Sequence, residues 1–226
     1  MSTSPRRSKR VRFQNTKDCF GSFDGNDFDV SGLSPVQALA KVSAVAMLTT
    51  ARVGDPYEDA SMAQARPRLS EINKRGFLTT DSQMGKKEPV RHAVTGEDVI
   101  YLQRSYVTGL FPRHLQNEFE RRMELEDGVI IFSGEPGPRS PDLGYGIPVT
   151  GNDGGQFDSH VEMATCPFME HAINVLPEVE SILNDNTCFK LLERDAVVVN
   201  VADTTWGRPF WLFDKIAEVL DKVNSS

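Results

Sequence analysis

The sequence predicts an α/β or α+β fold: a single domain with a mixed β-sheet flanked by helices, preceded by a flexible basic N-terminal arm. Three observations lead there. Segments of helical and of strand periodicity interleave along the whole body instead of segregating. The chain has 226 residues and is 39% hydrophobic, enough for one core of ordinary domain size and too apolar for a disordered chain. The charge is divided unevenly: residues 1–17 hold six bases and no acid, whereas residues 18–226 hold 19 bases and 32 acids, a net of −13.

Residues 1–32 read as the arm. Arg6 to Arg12 are basic, and the stretch from Gly21 to Gly32 mixes Gly, Asp and Ser with scattered Phe. The body, residues 33–226, opens at Ser34-Pro35, with Ser as N-cap and Pro in the first turn, where its missing N–H costs nothing. That helix is expected to run to about Thr50, with Val36, Leu39, Val42, Ala46 and Met47 on its apolar face. A second helix is expected from Arg66-Pro67 or slightly earlier, with Leu69 and Ile72 inward, Lys74 and Arg75 in the last turn, and Gly76 as the C′ residue. Phe77 to Thr80 reads as a short strand. Asp98 to Val107 reads as one long strand, with Val99, Tyr101, Gln103 and Ser105 alternating along one face. Pro112 opens a charged helix to Glu126, ended by Asp127-Gly128, and Val129 to Phe132 is a buried-type strand. Residues 134–155 contain seven Gly and four Pro in 22 positions and read as one long loop. Pro177 opens a further helix. Ala196 to Val201 is a strand rich in β-branched residues. Asp203-Thr204-Thr205 is expected to cap a last helix beginning near Pro209, whose Phe210, Phe213, Ile216, Ala217, Leu220 and Val223 make one apolar stripe.

Several classes are excluded. No stretch reaches the ~18 uncharged apolar residues of a membrane helix; the most apolar run, Val36 to Leu48, is broken by Lys41. The charged N-terminus has no apolar segment after it, so it does not read as a secretory signal. Cys19, Cys166 and Cys188 are too few and too widely spaced for a disulfide framework or a zinc pattern, which points to a reduced intracellular compartment, cytoplasmic or nuclear. There is no phosphate-binding loop and no nucleophile elbow, and Gly144-Tyr145-Gly146 lacks the third glycine of a dinucleotide fingerprint, so no cofactor is implied. The acidic body repels nucleic acid and anionic membranes, which restricts any such partner to the arm.

Four clusters are candidates for chemistry. Thr79 to Gly85 lies where a strand meets a glycine turn, and Asp81, Ser82 and Gln83 there offer hydrogen bonds to a polar ligand; the alternative is that Asp81 and Ser82 form a turn on their own backbone. Gln103-Arg104 places a charge in mid-strand, on a solvent face, in an ion pair or facing a ligand. Asp203 to Arg208 joins a buried strand to a helix, where exposed N–H groups favour an anion and Arg208 adds a fork for phosphate or carboxylate; the alternative is an Asp/Thr cap with Trp206 plugging the core. Asp158-x-His160-x-Glu162 would share one face if extended, as metal ligands need. The deaminase signature it partly matches requires Pro-Cys-x-x-Cys, which Cys166-Pro167 inverts, so no metal is assigned. Cys166 reads as an inert buried thiol in preference to a nucleophile.

Three stretches together resemble an uncharacterised α/β family of actinobacterial and large-DNA-virus proteins: Glu71 to Gly85, Leu102 to Gly109, and Ala202 to Arg208 with Leu212. The shared pattern is similar to Asn-x-x-Gly-Phe-x-Thr-x-x-Ser-Gln-Pro-Gly, Gln-Arg-Ala-x-Val-x-Gly and Asp-Pro-x-Trp-Gly-Arg, from which this chain departs at Met84, Ser105 and Thr204. The resemblance implies no known activity. It implies that the three polar clusters belong together, with the arm and the Gly/Pro stretch as additions.

Two functional classes follow. In the first, the body binds a small polar or anionic ligand, as a binding domain or an enzyme of unnamed reaction, with Asp81, Ser82, Gln83, Gln103, Arg104, Asp203, Trp206 and Arg208 converging at strand ends. Arg208 would hold the anion and Trp206 would stack. In the second, it is a structural or interaction protein, for instance a virion component, and Arg6, Arg7, Lys9, Arg10 and Arg12 contact nucleic acid, an import receptor or a protein. Lys9 to Phe13 also resembles a phosphatase-docking motif, in which Val11 and Phe13 would fill two apolar pockets beside an added strand; the plainer reading of the arm, ahead of these, is a solubilising tail.

Overall fold

The computed structural model describes residues 33–49, 60–91, 96–135, 146–152, 157–162 and 194–226, some of them by backbone alone. The arm, Cys166, the helix expected from Pro177 and the side chains of Asp158, His160 and Glu162 lie outside the described residues.

The first helix, α1 (Pro35–Thr49), begins at Ser34-Pro35. Ser34 Oγ accepts the Gln37 backbone N–H at 3.3 Å while Gln37 Oε1 accepts the Ser34 N–H at 3.1 Å, a reciprocal capping box. The second, α2 (Ala60–Lys74), starts a turn and more before Arg66-Pro67, so Pro67 sits inside it. Pro67 is exposed, while Ala65 and Leu69 on either side of it are buried; packing of that face outweighs the proline's cost. Ser70 Oγ donates to the Ala44 carbonyl at 2.8 Å and ties α2 to α1. Gly76 ends α2 at φ +94°, a left-handed conformation that an L side chain adopts at a cost. Asn73 then bridges to the next strand, donating to Thr79 Oγ1 at 2.7 Å and accepting the Thr79 N–H at 3.2 Å.

Eight strands follow: β1 (Leu78–Gln83), β2 (Lys86–Arg91), β3 (Asp98–Gln103), β4 (Tyr106–Pro112), β5 (Val129–Gly134), β6 (Gly146–Asn152), β7 (Phe157–Glu162) and β8 (Ala196–Asp203). They form two four-stranded sheets, ordered β1-β4-β8-β5 and β2-β3-β6-β7. All the described pairings are antiparallel. The fold is therefore α+β, with two antiparallel sheets in place of the expected mixed one; of the pairs, β2–β3 and β6–β7 are joined by short connections, which allow only antiparallel pairing.

The first four strands are one long ribbon, bent in the middle. Gln83 pairs with Tyr106 where the β1–β4 ladder ends, and Lys86 pairs with Gln103 where the β2–β3 ladder begins. The register thus passes unchanged through Met84-Gly85 and Arg104-Ser105, yet each half joins a different sheet. The single strand expected over Asp98–Val107 is for that reason two. At the break the Arg104 N–H donates to the Val149 carbonyl of β6 at 2.8 Å, whereas the Ser105 carbonyl accepts the Asp203 N–H of β8 at 2.9 Å. Successive residues are recruited in opposite directions.

Pro112 is followed by a single 3₁₀ turn, Arg113–Leu115, and then α3 (Gln116–Met123), shorter than the helix expected to Glu126. The Val129 strand forms as β5 but at a sheet edge, with half-buried side chains. The Gly/Pro-rich stretch is not one loop, since β6 lies within it and Val149 of β6 is buried against Tyr106 and Ala202. β8 is buried at all eight positions between β4 and β5. The final helix, α4 (Trp211–Asn224), buries Leu212, Phe213, Ile216, Val219, Leu220 and Val223.

The main core lies between the first sheet and α2, α3 and α4. Phe77, Phe111 and Phe119 meet at its centre with ring centroids 4.7 to 5.8 Å apart, each fully buried aromatic contributing about 1.5–3 kcal/mol. A smaller cluster of Tyr106, Val149 and Ala202, backed by Ile130 and Phe132, joins the two sheets beside the bend. Among the described residues no helix is long and apolar enough to cross a membrane.

Candidate functional site

At the bend the chain crosses between the sheets twice, side by side. Ser105 Oγ accepts the Gly85 N–H at 2.7 Å and donates to the Arg208 carbonyl at 2.5 Å. The Gly207 N–H donates to the Gln103 carbonyl at 2.9 Å. Gly85 is packed so closely that a Cβ there would come within 2.7 Å of the Arg208 backbone nitrogen. The stretches around Gly85, Ser105 and Arg208 therefore meet at one point.

Asp203 organises the loop after β8. Its carboxylate is wholly buried and takes Arg208 on both oxygens, Nε at 2.8 Å and Nη2 at 2.5 Å. It also accepts the Thr205 N–H at 2.7 Å. Asp203 thus closes a turn and does not cap the last helix, which begins at Trp211 after Phe210 without a side-chain cap. The Arg208 guanidinium lies 3.6 Å over the Trp211 ring. Gly128, at φ +84°, leaves room for it, since a Cβ there would sit 3.0 Å from Nη2. Arg208, expected to hold an anionic ligand, is spent on this internal pair, in which Asp203 is wholly buried and Arg208 half-buried.

The second arginine is differently placed. Arg104 stacks over the Trp206 ring at 4.1 Å, and its Nη1 donates to the Pro148 carbonyl at 3.2 Å. Its Nε is buried and has no acceptor among the described residues. Burial lowers its pKa from the ordinary guanidinium value, against the raising effect of the Asp203 charge. Trp206 is half-buried and stacks on an arginine of this chain, which the core-plug alternative does not describe. The preceding residue, Gln103, is 2% exposed. Tyr101 hydroxyl donates to its Oε1 at 3.5 Å, and its Nε2 has no acceptor among the described residues. A buried Gln103 and a half-buried Arg104, consecutive in the chain, thus each carry a buried donor without a described acceptor.

Asp81, Ser82 and Gln83 lie further along β1. Asp81 and Gln83 are exposed; Asp81 Oδ2 accepts the Tyr106 hydroxyl at 3.0 Å. Burial pushes the Tyr106 phenol well above its ordinary pKa, and the Asp81 charge adds to this. Of the eight expected ligand residues, Gln103, Arg104, Asp203, Trp206 and Arg208 come together, and the three on β1 make no hydrogen bond to either arginine. Ser105 and Tyr106 were not signalled by residue type, because a small hydroxyl and an aromatic are ordinary in a strand, and Gly85 was read only as a turn glycine. Pairing β1 with β4 as a hairpin is the signal that would have placed them. The arm residues Arg6 to Phe13 lie outside the described residues.

Residues 46–223 match a family described as a domain of unknown function, DUF6919. The chain belongs to this family. The DUF6919 match spans both sheets, the bend and α4, and takes in the Gly/Pro-rich stretch expected to be an addition; the basic arm precedes it. No curated protein matches the chain.

Proposed function

We propose that the DUF6919 domain of this chain binds a small polar ligand at the bend between its sheets, with Gln103 and Arg104 as the recognition groups and Trp206 as the platform that holds Arg104. The observation that carries this reading is the pair of buried donors without acceptors among the described residues, Gln103 Nε2 and Arg104 Nε. A buried unsatisfied donor costs about 1–3 kcal/mol, and native proteins keep few of them without a use. A ligand supplying acceptors offsets that cost on binding.

The test is a melting-temperature screen of the full chain against small anionic, neutral and cationic solutes, run beside Arg104→Met, which keeps the stem and removes the donors. A ligand at a hundredfold its Kd stabilises by about 2.7 kcal/mol, about 2–4 °C per kcal/mol in a chain of this size. The reading expects such a shift for at least one class in the wild type and none in the variant. No shift from any class, together with an equally stable variant, counts against it.

A second reading concerns the arm. Six bases without an acid, ahead of a body of net −13, support an interaction role, as in a structural or virion protein, in which Arg6, Arg7, Lys9, Arg10 and Arg12 engage nucleic acid phosphates or a protein partner.

A further inference from the structure

The edges of the two sheets are not alike. At β1, one edge of the first sheet, the Thr79 N–H is answered by Asn73 Oδ1 at 3.2 Å, and Leu78 to Thr80 are buried. At β2, an edge of the second, stand Lys86, Lys87, Glu88, Pro89 and Arg91; charges and proline keep an edge strand from pairing with another chain. β5, the other edge of the first sheet, has neither device. From Val129 to Gly134 it reads Val-Ile-Ile-Phe-Ser-Gly, without a charge, and every residue is half-buried. Such a sequence suits a strand covered on both sides, and among the described residues only β8 pairs with it.

The hydrogen bonds around β5 settle which of its backbone groups face outward. The Thr204 N–H donates to the Gly128 carbonyl at 2.8 Å, in line with the β5–β8 register. Alternation then turns the backbone groups of Ile130, Phe132 and Gly134 to β8 and those of Val129, Ile131 and Ser133 away from it. The Val129 N–H is taken up locally by the Glu126 carbonyl at 3.3 Å. Ile131 and Ser133 keep an outward N–H and carbonyl each, with no partner among the described residues. The polar side chains alongside are bound to one another, Ser133 and Gln116 to Glu120, and Arg113 to both oxygens of Glu135, and none of these bonds uses the outward backbone.

We propose that β5 pairs antiparallel with β5 of a second copy of this chain, about a two-fold axis at Phe132, so that two first sheets become one continuous sheet. A two-fold interface presents the same patch from both subunits, so the strand must complement itself, and β5 does so in one register. With Phe132 opposite Phe132, Ile131 faces Ser133 of the second copy, and the free N–H and carbonyl of each answer those of the other. With Ile131 opposite Ile131, Ser133 would meet Val129, whose N–H is already used, and Asp127 would meet Glu135 as a pair of like charges. The Phe132 register sets Glu135 against Val129 instead. By symmetry a second copy brings a strand of the same uncharged length with the same two free residues, and that match commits the edge to a copy.

The experiment measures the mass of the full chain by light scattering across a dilution series, beside three variants. Ile131→Pro removes an outward N–H and leaves the β8 ladder whole, since residue 131 gives β8 no hydrogen bond. Phe132→Cys places a thiol on the two-fold axis, where opposite residues outside the hydrogen-bonded pairs lie about 4.5 Å apart between Cα atoms, within reach of a disulfide. Ile131→Cys places it diagonal to its own copy, about 7–8 Å away. The expected mass rises with concentration from 25.1 kDa towards twice that value. Ile131→Pro should weaken the dimer Kd about tenfold or more at an unchanged melting temperature. On oxidation, peptide mapping should find copies joined through position 132 in Phe132→Cys and not through position 131 in Ile131→Cys, with the chain's own Cys19, Cys166 and Cys188 as the wild-type background. If Ile131→Pro melts early, linkage through position 132 decides alone. A monomer at every concentration overturns the proposal and leaves the edge to an extended segment of another protein. A dimer as tight in a folded Ile131→Pro as in wild type, or joined as readily through position 131 as through 132, overturns it by placing the contact elsewhere or in another register.

Discussion

Tyr106 shows how one side chain at the bend is held by its surroundings. Its hydroxyl donates to the exposed Asp81 at 3.0 Å while its ring is buried beside Val149 and Ala202, and burial first, Asp81 second, raises its pKa. A group whose folded pKa lies above its unfolded value contributes stability that is present in full below the unfolded pKa, near 10 for tyrosine, and is lost as pH rises through the window above it. Tyr106→Phe is expected to be less stable than wild type by about 0.5–1.5 kcal/mol at pH 7, with the gap closing above pH ~10, where the variant has no such proton to lose. Denaturant titrations at both pH values check this; the other tyrosines are common to both proteins and cancel. Arg104 and Arg208 make the complementary point. Both are arginines stacked on tryptophans, and residue type alone favoured Arg208 as the anion anchor. The buried carboxylate five residues before it reverses that assignment, because the loop folds Asp203 back onto it, and no local pattern announces such a fold.

Whole elements depended on the same distinction between local and distant partners. The start of α1, the glycine end of α2, the central strand β8 and the stripe of α4 were legible because capping, left-handed glycine and apolar periodicity are written in adjacent residues. The bend was not. Alternation of side chains runs unbroken from Val99 to Ser105, and only the hydrogen bonds to the Val149 carbonyl and from the Asp203 N–H, 45 and 98 residues away in sequence, divide the strand. β6 was hidden by the glycine and proline around it, although tertiary pairing with β3 and β7 overrides that composition. Gly85 is the most exacting position of the bend. A Gly85→Ala substitution forces a methyl group onto the Arg208 backbone, and overpacking of this kind costs about 1–3 kcal/mol. Thermal unfolding should register that loss, and tryptophan emission should shift with it as the loop carrying Trp206 is displaced; a variant with unchanged melting and emission would show that the two crossings are looser than their contacts imply.

For the molecule as a whole, the net charge of −7 describes neither of its parts. If the arm is the seat of nucleic acid binding, deletion of residues 1–17 should abolish association with DNA or RNA at low salt while leaving the melting temperature of the body unchanged. Binding assays across a salt series check this, since phosphate contacts weaken steeply as salt rises; retained binding would move the interaction to the body. The bent ribbon has a further consequence, for the order in which the chain folds. Its tip is closed where Arg91 Nε donates to the carbonyl of Gly96, itself at φ +70°. One hairpin closure there sets the strand phase of both sheets at once, because the register continues through the bend. A slip of a single residue at the tip reverses which side chains point inward, and it would do so from Arg91 past the bend as far as Asp81, where the β1–β4 register shifts between Thr79 and Asp81. A wrong turn at the tip is therefore felt on both sides of the bend, in the second sheet and in the first as far as that shift.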